Sequence, residues 1–183
     1  ILVVYCALYP YLLQATGFVF PDTRYVVGNY PSLYRFLQSQ PVNSLTAALL
    51  EEANNIPSFA ARPIFPGGQG FLLPYHKKYF AQMNQRVRDT MMAQYTDHPA
   101  TLLAFLEKYP INFWLLHDDG DNPDFLLQKH SIFSQYPDER LVIHRKLSAG
   151  VPPIIKSVRS TCEVWREDAF FLLDTSCVKR ALR

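Results

Sequence analysis

The chain has 183 residues, enough for one globular domain and a short appendage, and folding at that length buries about 70% of the surface of the unfolded chain. Its net charge is +2, 19% of its residues are charged, and no run of Lys or Arg is longer than the pair Lys77-Lys78, which excludes the basic footprint of a nucleic-acid binder. Fourteen Pro and seven Gly beside 13 Phe and 11 Tyr describe many short elements around an aromatic core, and exclude a disordered or low-complexity chain.

Residues 1–21 carry no Asp, Glu, Lys, Arg or His. The run opens at Ile1 without the charged start of a secretory signal, and is read as the end of a transmembrane helix in which residues 1 to about 13 lie in lipid before Pro10, Gln14, Thr16 and Gly17 weaken the pattern. A buried core helix satisfies the same apolarity. No later segment reaches spanning length, so residues 21–183 are expected to form a soluble domain.

Pro31 followed by SLYRFLQSQ predicts a short helix with Leu33, Phe36 and Leu37 on one face, ended by Pro41. Leu45–Leu50 is a continuous apolar run of strand length that stops at Glu51-Glu52. ANNIPSFA predicts a turn or one helical turn, and Arg62–Phe65 a short strand before the Pro66-Gly67-Gly68 loop. Between Tyr75 and Gln94 there is no Gly or Pro, and Tyr79, Met83, Val87 and Met91 recur at i+4, the mark of the longest helix. Pro99–Lys108 predicts another helix, and INFWLLH after Pro110 the clearest buried strand. The acidic turn DDGDNPD leads into a predicted helix over 123–133, with Asp124 in its first turn and Lys129 and His130 near its end. LVIHRKL fits either a strand or a helix, VPPIIKSVR a short helix, and CEVW with AFFLLD a strand pair turning at Arg166-Glu167-Asp168. Strands alternating with helices predict an α/β fold, a mixed sheet covered by helices in a Rossmann-like three-layer architecture.

Cys6 reads as a small buried hydrophobe. Cys162 and Cys177 flank the apolar strand at 169–173, a spacing that suits a disulfide in an oxidising compartment and equally two buried thiols. No cysteine or histidine stands at metal-ligand spacing.

Glu51 and Glu52 have the composition of an acid/base pair, but neighbouring strand residues face opposite sides, so capping or solvation of the NNIPSF turn is the simpler reading. Asn54 and Asn55 suit side-chain to backbone bonds within that turn. Pro66–Gly70 lacks the GK[ST] ending of a phosphate loop. Asp118, Asp119, Asp121 and Asp124 have oxygen ligands to offer a calcium ion, but Gly120 breaks the template and no Glu closes it. His76, Lys77 and Lys78 open the long helix, where an anionic group would be favoured and where solvated residues are the common case. No nucleophile elbow, HExxH or catalytic triad spacing occurs. No catalytic residue, cofactor or metal site is therefore assigned.

The segments LYRFLQSQP, SLTAALLEEANNIPSFAARPIF, LPYHKKYFAQM, YPINFWLL, CEVW and LLDTSC together resemble the extracytoplasmic C-terminal domain of a family of polytopic, largely cyanobacterial membrane proteins. That family is similar to glycosyltransferases of the dolichyl-phosphate-mannose mannosyltransferase (GT-C-like) type. The resemblance implies an accessory domain on the periplasmic or lumenal side, with the chemistry in acidic loops near the first membrane helices of a longer polypeptide. It also fits a leading membrane helix and a Cys162 to Cys177 bridge, and no catalytic residue carries over. The partners expected on this basis are membrane lipid, a lipid-linked sugar or glycan acceptor, and another membrane protein. Ligand contacts are expected at Glu51, Asn54, Asn55, Arg62 and His76, where strand-end loops meet the start of the long helix. The reading of a different class is a structural or assembly subunit that docks onto a membrane complex and catalyses nothing.

Overall fold

Phe113–His117, named β3, forms the middle strand because five consecutive residues with large side chains must be covered on both faces, which only an interior strand between two layers achieves. The computed structural model describes residues 28–66, 76–128 and 132–183. In chain order its elements are α1 (Pro31–Gln38), β1 (Thr46–Ala47), α2 (Ile56–Ala60), β2 (Ile64–Phe65), α3 (Lys77–Gln94), α4 (Pro99–Lys108), β3, α5 (Pro137–Ser148), α6 (Ile154–Ser157), α7 (Arg159–Cys162), β4 (Glu163–Glu167), β5 (Phe170–Asp174) and α8 (Thr175–Ala181). The five strands pair in the order β2-β1-β3-β5-β4. β1 lies parallel to both β2 and β3, with Thr46 opposite Ile64 and Phe113, while β5 runs antiparallel to β3 and to β4. The domain is thus a mixed α/β sheet flanked by helices, as the alternation of elements predicts.

Alternation along the strands sorts the core into two faces. Trp114, Leu116, Phe171 and Leu173 join Leu102, Phe105 and Leu106 of α4 on one side. Phe113, Leu115 and Leu172 meet Leu33, Tyr34 and Leu37 of α1 and Ile56 and Ala60 of α2 on the other. A third cluster lies under α3 and α5, where Val87 and Met91 pack with Phe133, Tyr136, Ile143 and Leu147. The i+4 stripe of α3 is buried from Met83 onward, whereas Tyr79 is exposed. Gly150, with φ 76°, turns the chain out of α5, a left-handed position that glycine adopts without cost.

Several expectations are corrected. Only Thr46 and Ala47 of the apolar run 45–50 pair as a strand. Ala48 then enters the α1–α2 side of the core and Leu49 the cluster under α3, so burial between layers, and not strand pairing, accounts for the apolarity. The predicted helix over 123–133 is two 3₁₀ segments, Pro123–Leu127 and Ile132–Gln135. Asn122 caps the first by accepting from the Asp124 N–H, and Leu126 is buried while Leu127 is exposed, too narrow a stripe to hold a regular helix on the core. The segment 141–147 is helix, within α5. The expected membrane segment and Cys6 lie outside the described residues, and among the described residues no helix is long and apolar enough to cross a membrane.

Thr46 is fully buried and its Oγ1 meets no hydrogen-bond partner among the described residues. Val has the same shape without the desolvated hydroxyl. Thr46→Val is therefore expected to raise stability by about 1 kcal/mol, measured by urea unfolding; an unchanged or lower midpoint would show that the hydroxyl is satisfied.

Candidate functional site

The parallel part of the sheet dictates where a ligand would meet the fold. The crossover from β1 to β2 runs through α2 on one face, and that from β2 to β3 through α4 on the other. These connections leave the carboxyl ends of β1 and β2 toward opposite faces, and the chain leaves the carboxyl end of β3, at the same end of the sheet, through the 3₁₀ turn Asp118–Asp121.

Beyond β3 lies an open, shallow cleft. The end of β3 and the 3₁₀ turn Asp118–Asp121 form one wall, α6 and α7 with Pro153 form another, and Gln94, Tyr95 and Phe171 close the base. Its polar groups are held from behind. Trp114 Nε1 donates to Gln94 Oε1 at 3.1 Å, and the Tyr95 hydroxyl donates to the Gly120 carbonyl at 2.8 Å. Burial raises the Tyr95 hydroxyl far above its ordinary value, so it stays a donor at every physiological pH.

Asp118 receives Arg159 Nη2 at 2.6 Å and Arg166 Nη2 at 2.6 Å, and Asp121 receives Lys156. Arg159 also donates through Nε to Glu163 at 3.0 Å, and its guanidinium lies 3.9 Å above the centre of the Phe171 ring. Burial of Arg159 opposes its charge, but the carboxylates of Asp118 and Glu163 outweigh that and hold the guanidinium protonated. Asp118 and Asp121 are thus neutralised by side chains of this protein, while Asp119 is exposed. Among the described residues no group of three or more His, Cys, Asp or Glu is placed to hold a metal ion. His117, at the strand end, stacks on Phe125 and meets the edge of Phe170, with its Nδ1 accepting from the Asp119 N–H at 3.1 Å.

The residues proposed from sequence do not converge on this cleft. Glu51, Asn54 and Asn55 share the 3₁₀ turn after β1. Its neighbour Glu52 is buried and accepts the Tyr34 hydroxyl, which burial and then Glu52 raise well above its ordinary value; Asn55 also reaches that hydroxyl. The backbone of Gly28 lies against the same ring, since a Cβ there would fall 2.3 Å from Tyr34. Asn54 Oδ1 is buried without a partner among the described residues. Arg62 precedes β2 and so stands at the opposite edge of the sheet, where it donates to the carbonyls of Gln38 and Gln40 at the end of α1 and of Ala61 just after α2. His76 precedes the first residue of α3, about 27 Å of helix from the Gln94 end that borders the cleft. Cys162 and Cys177 are joined by a disulfide that ties the end of α7 to α8.

Gln94, Tyr95, Lys156, Arg159 and Phe171 were not singled out by sequence reasoning. The signal that points to their neighbourhood is positional: Asp118 follows the end of the clearest buried strand. Arg62→Met, which keeps most of the stem and removes five donors, is expected to lower stability by about 1–2 kcal/mol by freeing the α1 carbonyls. Urea unfolding checks this, and an unchanged midpoint would return Arg62 to the pool of ligand contacts.

No protein-family model and no curated protein matches the chain. Among solved structures, it is similar to the C-terminal globular domain of an oligosaccharyltransferase from Archaeoglobus fulgidus, with a TM-score of 0.49 and 6% identity, covering 83% of this chain and 99% of that one.

Proposed function

We propose that this chain is a non-catalytic, extracytoplasmic domain of an integral-membrane protein of glycosyltransferase type that uses a lipid-linked sugar donor. In this reading residues 1 to about 20 belong to a membrane helix, and residues 21–183 form the domain on the periplasmic or lumenal side. The observation that carries it is the Cys162–Cys177 bridge, because structural disulfides persist outside the reducing cytoplasm. The uncharged first 21 residues supply the membrane, and the sequence resemblance supplies the transferase class. An accessory role is supported by how the charged groups are used: Arg62 holds carbonyls, and Asp118 and Asp121 hold Arg159, Arg166 and Lys156.

The test uses native membranes containing the full-length protein. Cys162 and Cys177 are expected to resist alkylation until a reductant is added, and the membranes are expected to transfer sugar from a polyprenyl-phosphate donor. Free thiols in native membranes, or no transfer from polyprenyl-phosphate sugars, would reject the reading. One observation favours the assembly subunit instead. Met92 of α3 and Val142 of α5, 43% and 45% exposed as residues, border a common groove. Stable co-purification of a membrane partner after mild detergent extraction, without transfer activity, would establish that alternative.

A further inference from the structure

The cleft beyond β3 is lined by two carboxylates, Asp118 and Asp121, and by two cations, Lys156 and Arg159. Each charge already has its counterpart in contact. An anionic ligand that took Lys156 would leave Asp121 without its cation, and a cation that took Asp121 would leave Lys156 without its carboxylate, while Asp118, Arg159, Glu163 and Arg166 form a network that a charged ligand would have to open at several contacts. Breaking a partly buried pair in this way is costly. A neutral ligand with several hydroxyls escapes that cost, because a hydroxyl both donates and accepts. It can add bonds to the free lone pairs of the carboxylates and the remaining N–H groups of Lys156 and Arg159 without separating them.

The rest of the lining suits the same chemistry. Leu116, Pro153, Ile155 and Phe171 give an apolar floor against which C–H groups can be buried. The polar rim is rigid before any ligand arrives: Arg159 is clamped between Asp118, Glu163 and the Phe171 ring, and Tyr95 fixes the acidic turn through Gly120. Rigid donors lose little freedom on binding, which favours small polar ligands that bury modest area. We infer that this cleft is a saccharide site for a neutral sugar unit. This rests on the reading above, where it gives the domain a grip on the glycan and leaves the transfer chemistry elsewhere.

The test is saturation-transfer NMR on the whole 183-residue chain in detergent micelles, with a panel of neutral mono- and disaccharides (glucose, mannose, galactose, N-acetylglucosamine and their disaccharides) beside glucuronate and glucose 1-phosphate. The expected result is saturable binding of at least one neutral sugar. Its affinity should stay within twofold between 0.05 and 0.5 M salt, because no charge is displaced. Ile155→Trp, which fills the floor, should weaken binding at least tenfold. Lys156→Ala, at a side chain 55% exposed and so safe for folding, should weaken it several-fold. No saturable neutral sugar, tighter binding of the charged sugars, or binding untouched in a folded Lys156→Ala variant would each overturn the proposal. The assay contains no lipid-linked donor, so it fails or succeeds independently of the transfer assay. A chain that binds sugar while the full-length protein transfers none would retain this site and remove the transferase reading.

Discussion

Reduction of the Cys162–Cys177 bridge is expected to lower the stability of the domain by about 3 kcal/mol. The bond closes a loop with a sequence separation of 15, and opening it restores that freedom to the unfolded chain. The loop holds β4, the turn to β5 and all of β5, the strand that pairs with β3, so the same bond that restricts the unfolded chain also secures the middle of the sheet. Asp174 caps α8 by accepting from the N–H groups of Ser176 and Cys177, so the helix end of the bridge is fixed independently of the sulfur. Urea unfolding with and without reductant measures the effect. With about 1–3 kcal/mol per molar for the dependence on urea, the midpoint should fall by roughly 1–3 M. A shift below about 0.3 M would mean that the bridge adds almost nothing, which would weaken the argument that an oxidising compartment is where this domain folds.

Trp114→Ala is expected to cost about 4 kcal/mol, a large share of the 5–15 kcal/mol typical of a domain. Trp114 is fully buried in the middle strand, its ring lies 5.3 Å from that of Phe105, and its indole N–H is the donor that satisfies Gln94. Truncation leaves a cavity on the α4 side and an unpaired amide at the base of the cleft. Trp114→Phe separates the two contributions, since it retains most of the packing and still orphans Gln94 Oε1; it is expected to cost about 1–2 kcal/mol. If the two substitutions cost the same, packing around the indole is not what holds the strand.

How much of this was legible in the sequence depended on how local the cause was. INFWLLH announced β3 because five large residues between Pro110 and Asp118 leave one solution, and α1 and α4 were marked by Pro at their first residues. The length of β1 was not legible. Whether Ala48 and Leu49 continue a ladder or plug two different clusters is decided by helices far away in the chain. The acidic turn is the clearest case for the site. Four aspartates within seven residues failed the calcium template, but what pairs two of them was not legible, because Lys156 lies 35 residues beyond Asp121 and Arg166 48 beyond Asp118. Likewise Arg62 read as a ligand contact because nothing nearby in sequence shows that the end of α1 lies within its reach.

The order of the strands also decides how this domain can associate. One border of the sheet is β2, two residues long, and the other is β4, which carries Glu163, Arg166 and Glu167 and breaks register between Glu163 and Trp165. A short border offers too few backbone groups to template a new strand, and a charged, bulged one turns an incoming strand away. Among the described residues, both borders of the sheet resist growth by strand addition, the common route to aggregation. Any protein that meets this domain must do so through its helical faces or its loops, so a stable complex would bury side chains without extending the backbone ladder.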